Sequence, residues 1–315
     1  MNTDNKNISL RPPKAIASRQ GQCKYWRPHS ASRHFMKLVS FNIFRTLGIP
    51  DVTYIKPEDF DKSPHHYQAL IEQADWVLFP EYWQLNALLF GMKCRIFPSE
   101  ASYRIGHDKI EMTRACRVIS PSNVPSTWIA KNTPEEAERL WDELYLPFVA
   151  KLPKSSQGEG VWLIKDRADW RHYLNQTDRL YAQEYLPIDK DLRIVMVGDE
   201  VIAAYWRHQS DRSFHTNVSR GGQVSYDDIP GVAIEYVKKL ATDLGINHAG
   251  FDIAMVGDHP YLLEFNRLFG NQGIPGGGKT ITDALVRYLN QHQDDERPIG
   301  PNGPKQGGPT WPIAV

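Results

Sequence analysis

Cysteine is scarce in this chain of 315 residues, and its three cysteines (Cys23, Cys94 and Cys116) are far apart in the sequence. They form neither a disulfide framework nor a Cys-x-x-Cys metal motif, so we expect a reducing cytoplasm. The N-terminal residues have no apolar core typical of a signal peptide. No apolar run approaches the roughly 18 residues of a membrane span, so no membrane partner is expected.

The chain also lacks an excess of charge of either sign, since 37 Lys and Arg residues balance 37 Asp and Glu residues. A neutral chain is unlike a dedicated nucleic-acid binder, so no nucleic-acid partner is expected. The motifs HExxH and GxSxG are absent, and the 11 histidines show no metal-ligand spacing. These absences argue against the zinc-protease and serine-hydrolase chemistries that those motifs support.

Short apolar runs alternate with helical patterns before residue 105. We predict strands at 15–17, 52–55, 76–79 and 95–97 and helices at 32–47, 64–73 and 82–90. This alternation predicts a parallel sheet covered by helices, so residues 1–105 are interpreted as an α/β domain with a polar N-terminal tail.

After residue 105, helices are interleaved with antiparallel hairpins, which predicts an α+β region. We predict helices at 108–117, 134–145, 229–244 and 281–291. Strands are predicted at 148–151 and 161–164, and two hairpins turn at Gly198-Asp199 and Gly257-Asp258. We divide this region into 106–180, 181–292 and a Pro/Gly-rich tail, 293–315.

Asp252, Glu264 and Asn266 form the strongest candidate site. Glu264 and Asn266 leave the same face of one strand. A three-residue loop at 257–259 would place Asp252 opposite Glu264. Facing carboxylates repel each other unless a cation neutralises them, and Mg²⁺ prefers a few carboxylate oxygens combined with a phosphate. The alternative is a polar hairpin that merely faces solvent.

Two further clusters could bind anions. Lys151 ends an apolar strand, and a loop containing Ser155 and Gly158 follows it, so backbone N–H groups could approach phosphate oxygens. An ordinary Gly-rich turn is the alternative. Asp191, Arg193 and Arg207 would share one face of their hairpin if its loop were odd, which suits a phosphate or carboxylate. A surface ion-pair ladder is the alternative there.

Residues 273–280 match the Walker A pattern GxxxxGK[ST]. A P-loop opens the first βα unit of its domain, whereas here only 35 residues follow the match. Pro275 also removes a backbone donor from the loop. We therefore do not interpret this segment as a phosphate-binding loop. The basic and aromatic stretch around Arg27 could close a pocket over an anionic substrate, or be a surface loop.

Taken in order, several segments resemble the ATP-grasp superfamily, and within it the RimK-like glutamate ligases. The resemblance is strongest over residues 183–266 and rests on the following segments: Gln183-Glu184-Tyr185, Asn217 with Arg220-Gly221-Gly222, Gly250-Phe251-Asp252-Ile253 and Leu263-Glu264-Phe265-Asn266. It implies an α/β N-terminal domain followed by an α+β ATP-grasp fold whose two lobes hold the nucleotide between them. The departure comes after Asn266, where Arg267-Leu268-Phe269-Gly270 replaces a small residue and Ser-Pro-Gly.

The resemblance also implies a role for each candidate residue. The nucleotide-binding residues would be Lys109, Lys151, Ser155, Gly158, Gln183, Glu184, Tyr185, Asp191 and Asn217. Glu184 and Tyr185 would receive the adenine, Asp191 the ribose, and Asn217 the phosphates. Asp252, Glu264 and Asn266 would hold two Mg²⁺ ions, with Mn²⁺ as a possible substitute. Arg193, Arg207 and Arg220 would surround the transferred phosphate and the substrate carboxylate.

The implied activity is an ATP-dependent carboxylate–amine ligation through an acyl phosphate, with small-molecule or peptide substrates. Negative charge develops on oxygen in both steps, and lysine, arginine and Mg²⁺ stabilise such charge. A kinase on the same fold and a non-catalytic nucleotide-binding module remain as alternatives.

Overall fold

The structure is a computed structural model, and it describes residues 36–155, 160–208, 223–293 and 295. Several predicted features lie outside these residues: the strand at 15–17, the stretch around Arg27, the sites Gly158, Asn217 and Arg220, and nearly all of the tail. The described residues belong to one compact unit. None of the helices in the described ranges is long and apolar enough to cross a membrane.

The first sheet is parallel, as predicted, with the order β2-β1-β3-β4. Its strands are β1 (Leu38–Ser40), β2 (Val52–Tyr54), β3 (Trp76–Leu78) and β4 (Ile96–Phe97). Strands β1 and β3 are buried along their whole length, which explains why they are apolar except for Ser40. The helices before β3 are α1 (Pro57–Lys62) and α2 (Pro64–Glu72), each with a proline at its first position.

One predicted helix in this region is wrong. The segment 32–47 contains β1 and then a single 3-10 turn, Ile43–Arg45, which begins where the Asn42 side chain accepts a hydrogen bond from Arg45 N. Residues 38–41 are buried because they pair with neighbouring strands, and pairing overrides the helical spacing. The segment 82–90 is helical, as predicted, but it begins as a 3-10 turn, Tyr82–Gln84, and ends as a π-helical turn, Ala87–Gly91.

The second sheet is antiparallel and has the order β5-β8-β6-β7. Its strands are β5 (Thr127–Lys131), β6 (Phe148–Lys151), β7 (Val161–Ile164) and β8 (Arg179–Glu184). Helices α5 (Pro134–Glu143) and α6 (Arg167–Leu174) cover it, and Leu140, Phe148 and Trp170 lie in their shared core. Thr133 caps α5 by accepting a hydrogen bond from Glu136 N, as the Thr-Pro pair predicts.

The third sheet is also antiparallel, in the order β11-β10-β9-β12-β13. Its strands are β9 (Lys190–Val197), β10 (Glu200–His208), β11 (Val224–Ser225), β12 (His248–Val256) and β13 (His259–Asn266). On one face, Ile194 and Phe251 pack against α4 (Lys109–Ile119) and α7 (Gly231–Leu244). On the other face, Val195 and Tyr205 share a core with α8 (Gly278–Gln291) and with the parallel sheet.

Helix α4 follows α3 (Glu100–Ile105). Met112 and Cys116 of α4 belong to the core of the third sheet. In sequence, however, α4 precedes the second sheet and falls in the predicted segment 106–180. The predicted domain boundaries at residues 105, 180 and 292 describe the order of segments along the chain. They stay a prediction, because α4 packs on a sheet that belongs to a later segment.

Both hairpins of the third sheet have two-residue turns, so the expectation of odd loops is wrong. In β12–β13, Val256 pairs with His259, and a bulge between Asp252 and Ile253 restores the predicted pairing of Asp252 with Glu264. In β9–β10, a bulge after Val201 places Arg207 opposite Asp191. A bulge adds one residue to one strand and so reverses the parity that an even turn would impose. The charged side chains of these two hairpins therefore lie on the predicted face of the third sheet.

The two turns offer a matched stability test. Gly198 and Gly257 both have positive φ, 65° and 59°, but only at Gly198 would an added Cβ meet Tyr288 of α8, at 2.6 Å. Strained backbone alone costs about 1 kcal/mol in each alanine variant. We expect Gly198→Ala to lower the free energy of unfolding by about 1–3 kcal/mol more than Gly257→Ala, because it also overpacks α8. Denaturant titration measures both, and equal losses would contradict the close packing of α8 on this turn.

Candidate active site

Lys109 connects three parts of the site. It is the first residue of α4, where the Asp108 carboxylate caps the helix by accepting a hydrogen bond from Ile110 N at 2.7 Å. Its ammonium group is nearly buried, donates to the Ser155 carbonyl at 2.6 Å and lies 3.4 Å from Glu264 Oε2. Lys109 therefore joins the loop after β6 to the end of β13.

Lys151, at the end of β6, is a second buried cation. Its Nζ donates to Gln183 Oε1 at 2.8 Å, and Gln183 Nε2 donates to Thr127 Oγ1 at 3.0 Å. The pKa of Lys151 is lowered to about 8, chiefly by burial and also by Lys109, although Glu264 and Asp252 raise it. An anion beside this group would raise the pKa again and stabilise the charge, as expected for a lysine that meets a phosphate.

Glu264 stays ionised although it is almost enclosed. Burial by itself would raise the pKa of its carboxyl, but Lys109, Lys151 and a hydrogen bond from Asn266 outweigh burial, so the pKa is lowered. Asn266 Nδ2 donates to Glu264 Oε1 at 3.1 Å, since the two side chains leave the same face of β13.

Asp252 lies between two arginines. Arg193 Nε is 3.0 Å from Asp252 Oδ1 without the geometry of a hydrogen bond, and an Arg207 amino nitrogen is 3.0 Å from Oδ2. Arg207 also donates two hydrogen bonds to the Asp191 carboxylate, through Nε at 2.7 Å and through the same amino nitrogen. Burial raises the pKa of Asp252 to about 6, against the lowering effect of the arginines. A buried ion-pair network is present here instead of a surface ladder.

The oxygen ligands suit a hard divalent cation. Asp252 and Glu264 face each other, Asn266 adds an amide, and Asp252 Oδ1 is buried and accepts no hydrogen bond from the part of the chain that the structure describes. Within the described ranges, no group of three or more His, Cys, Asp or Glu side chains could hold a metal by itself. Mg²⁺ is commonly bound in this way, by one or two carboxylates with waters and a phosphate. The residues therefore fit a metal that arrives with a phosphate ligand.

Glu184 and Tyr185 lie where the second sheet passes into the third. Glu184 ends β8, and its Oε1 accepts a hydrogen bond from Ser126 N at 2.7 Å. Tyr185 is half-buried and follows directly, before β9 begins at Lys190. These positions are compatible with the predicted hinge between two lobes.

The Walker-like segment is built differently from a phosphate-binding loop. The Lys279 side chain is 81% exposed and pairs with Asp283 on its own helix at 2.5 Å. The Thr280 hydroxyl donates to the Pro275 carbonyl at 2.6 Å. Both side chains therefore make local contacts, away from Lys151 and the carboxylates.

Sequence reasoning missed the support around Lys151. The Tyr173 hydroxyl donates to the Lys151 carbonyl at 3.0 Å and accepts a hydrogen bond from Tyr181 N, while the Tyr181 hydroxyl lies 2.8 Å from Thr113 Oγ1. It also missed Arg45, whose guanidinium reaches the Phe269 carbonyl in the loop after β13. The only sequence signal for that region is the unusual arginine after Asn266.

Comparison with known proteins identifies a family that matches this chain. The family of the RimK-like ATP-grasp domain matches residues 111–289. The ribosomal protein bS6–L-glutamate ligase of Escherichia coli is 31% identical over 182 residues, which cover 55% of this chain and 60% of that protein. The chain therefore matches somewhat less than two thirds of this relative's length.

Solved structures show the same fold at low identity. A RimK-domain ATP-grasp protein of Sphaerobacter thermophilus has a TM-score of 0.55 at 16% identity, covering 69% of this chain and 81% of that one. The D-alanine–D-alanine ligase of Bacillus anthracis complexed with ATP has a TM-score of 0.58 at 14% identity, covering 79% and 90%. With a family match over more than half of its length and this architecture, the chain belongs to the RimK-like ATP-grasp family.

Proposed function

We propose that this protein is an ATP-dependent carboxylate–amine ligase that forms an amide and releases ADP and phosphate. The observation that carries the proposal is the set of buried Lys109, Lys151 and Asp252 with the partly buried Glu264, and with Asn266 beside it. Buried charges of both signs at the junction of two sheets are costly unless a ligand uses them. The family membership and the relatives named as ligases support the same activity.

The first step transfers the γ-phosphoryl group of ATP to a substrate carboxylate, giving an acyl phosphate and ADP. In the second step an amine attacks the acyl carbon, the carbon–oxygen bond to phosphate breaks, and the amine loses a proton. Lys109 and Lys151 neutralise phosphate oxygens in both steps. Asp252, Glu264 and Asn266 would hold Mg²⁺, and a bound Mg²⁺ would neutralise phosphate charge and orient the oxygens for transfer. We propose two ions, and Mn²⁺ could replace Mg²⁺.

The adenosine would lie along the junction of the second and third sheets. Gln183 orients Lys151, while Glu184 and Tyr185 flank the adenine side. Ser155, held by Lys109, would lie near the phosphates. We assign the ribose to the neighbourhood of Asp191 and further phosphate or substrate contacts to Gly158, Asn217 and Arg220.

We propose roles for Arg193 and Arg207 that differ from those that the sequence suggests. Both contact Asp252, and Arg207 is occupied by two carboxylates. Arg207 is best described as a positioning residue that fixes Asp252. Arg193 is the more accessible of the two, with 13% of its side chain exposed, and could still turn toward a phosphate.

The reaction type can be tested by product mass. Purified protein with MgATP is screened against pairs of acids and amines, and ADP release is measured with and without the amine. We expect amine-dependent ADP release and a product equal to the two substrates minus water. A product that instead gains a phosphate would identify a kinase, and absence of both products at intact ATP binding would indicate a binding module; either outcome rejects the ligase.

Lys151→Met and Lys279→Met form a matched pair that locates the nucleotide. Loss of the buried charge should weaken MgATP binding roughly tenfold to a hundredfold, the size of a charge-assisted hydrogen bond. Lys279→Met should leave the Kd unchanged, because Lys279 faces solvent. Calorimetric titration gives both constants, and the reverse ranking would move the nucleotide to residues 273–280.

The same titration distinguishes loss of charge from loss of packing. The pKa of Lys151 is about 8 in the free protein, so the fraction that carries a proton falls as the pH rises through that value. Wild-type affinity for MgATP should therefore fall above about pH 8, and Lys151→Met should not show this fall. A pH profile that is the same in both proteins would remove Lys151 from the phosphate contacts.

Glu264→Gln should fold but lose turnover. The amide keeps the shape of the side chain and removes the charge that balances Lys109 and the metal. We expect kcat to fall at least tenfold and more Mg²⁺ to be needed for nucleotide binding. Glu235→Gln, on the exposed face of α7, is the control. Unchanged kcat at saturating Mg²⁺ would contradict the metal role of Glu264.

A further inference from the structure

Arg45 and Arg267 are two arginines that the proposed nucleotide and metal site does not use. Arg45 ends the 3-10 turn after β1, and both of its terminal nitrogens lie 3.4 Å from the Phe269 carbonyl. Arg267 directly follows Asn266, and its guanidinium carbon lies 4.3 Å from the centre of the Tyr103 ring. Both are partly buried.

His248 links the two arginines. Its Nδ1 lies 2.6 Å from the Arg267 carbonyl, so this nitrogen carries the hydrogen and donates it. Its ring stacks on Phe269 at 4.6 Å and meets Phe79 edge-on at 5.3 Å, and the guanidinium of Arg45 lies 6.0 Å from the Phe79 ring. Arg45 and the backbone of Arg267 therefore border one aromatic group of side chains, and the two arginines are near enough for Arg267 to lower the pKa of Arg45.

Neither guanidinium has a carboxylate partner among the residues that the structure describes. Other arginines in the same ranges do have one, such as Arg207 with Asp191 and Arg287 with Glu200. His248 does not compensate Arg45 or Arg267, since a histidine carries no negative charge; burial lowers its pKa to about 3, so it adds no positive charge either. Burial and the nearby Arg267 also lower the pKa of Arg45. Two partly buried like charges are unfavourable without an anion.

The location of these arginines suits a substrate. Arg45 follows the carboxyl end of β1, and Tyr103 donates a hydrogen bond to Pro80, just beyond the carboxyl end of β3. Open parallel sheets bind ligands at this edge. Arg267 is one residue from Asn266, so the same place borders the proposed metal site.

The expected arginines are not available for a substrate carboxylate. Arg207 is already held by Asp191 and Asp252, and Arg193 contacts Asp252 and donates to the Gly250 carbonyl at 3.0 Å. A guanidinium binds a carboxylate strongly when both of its parallel N–H groups are free to donate. Arg45 and Arg267 meet this condition better, because neither is paired with a carboxylate of the described residues.

We propose that Arg45 and Arg267 together bind a substrate carboxylate that is not the one phosphorylated. This inference rests on the proposed ligase function and deepens it, since it requires one substrate to carry an additional carboxylate. That substrate is either an acid with two carboxylates or an amine that is itself an amino acid. The distinctive Arg267 would then define the substrate class of this chain.

Direct binding tests this inference with two matched pairs of small molecules in the presence of MgADP. The first pair is glutarate and butyrate, which differ by one carboxylate. The second pair is L-alanine and ethylamine, which differ in the same way. We expect the carboxylate-richer member of one pair to bind about tenfold or more tightly by calorimetry. Discrimination in the first pair assigns the acid substrate, and in the second pair the amine substrate.

Variants identify the residues responsible. Arg45→Gln and Arg267→Gln should each abolish the discrimination, whereas the exposed control Arg114→Gln should keep it. Arg45→Lys and Arg267→Lys retain charge without the planar guanidinium, and they should reduce discrimination at unchanged thermal stability, so a Gln variant that fails to fold does not prevent the test.

Two outcomes would overturn the inference: no discrimination in either pair while MgADP binds normally, or discrimination that survives in all four arginine variants. Failure of MgADP to bind the wild-type protein would instead count against the proposed function. The two failures are therefore distinguishable in one set of titrations.

Discussion

The burial of opposite charges next to one another is the constraint on which this molecule depends. Three carboxylates, Asp191, Asp252 and Glu264, share one face of the third sheet with two arginines, and two lysines reach the same place from α4 and β6. Removing one of the carboxylates would leave a buried cation without compensation, which costs several kcal/mol. The excess of one positive charge explains why the arrangement suits an anion. The arrangement of the sheets holds these seven charged side chains together.

The order of chemical groups along the chain predicted most of this site. Glu264 and Asn266 are two residues apart on a strand, which is sufficient to place both on one face. The pairing of Asp252 with Glu264 is confirmed, although the turn is shorter than expected, because a bulge adds the missing residue. The alternation of side chains between the two faces of a strand is kept although the turn length differs, because the hydrophobic face must stay in the core. The alternation of side chains along a strand therefore predicts which face a residue occupies better than the assumed turn length does.

Other features could not be predicted from the sequence. The segment 32–47 has helical spacing, but β1 forms there because strands β2 and β3, distant in the sequence, pair with it. Arg45 and Arg267 are 222 positions apart, and nothing in either local pattern indicates that they converge on His248. The occupation of Arg207 by two carboxylates likewise depends on three strands at once. Contacts of this kind arise from tertiary packing, which local periodicity does not contain.

Helix α8 has a consequence for motion. Its Leu285 and Leu289 lie in one core with Leu78 and Phe97 of the parallel sheet and Val195 and Val197 of the third sheet. These two sheets cannot separate without exposing apolar surface, so they should behave as one rigid body. The second sheet has its own core around Phe148 and Trp170, and it is joined to β9 by a short connection after Glu184. Opening and closing is therefore expected of the second sheet against the other two, with Tyr185 near the axis. The hydrogen bond from Lys109, on α4, to Ser155, in the loop after β6, is the contact that would form on closure.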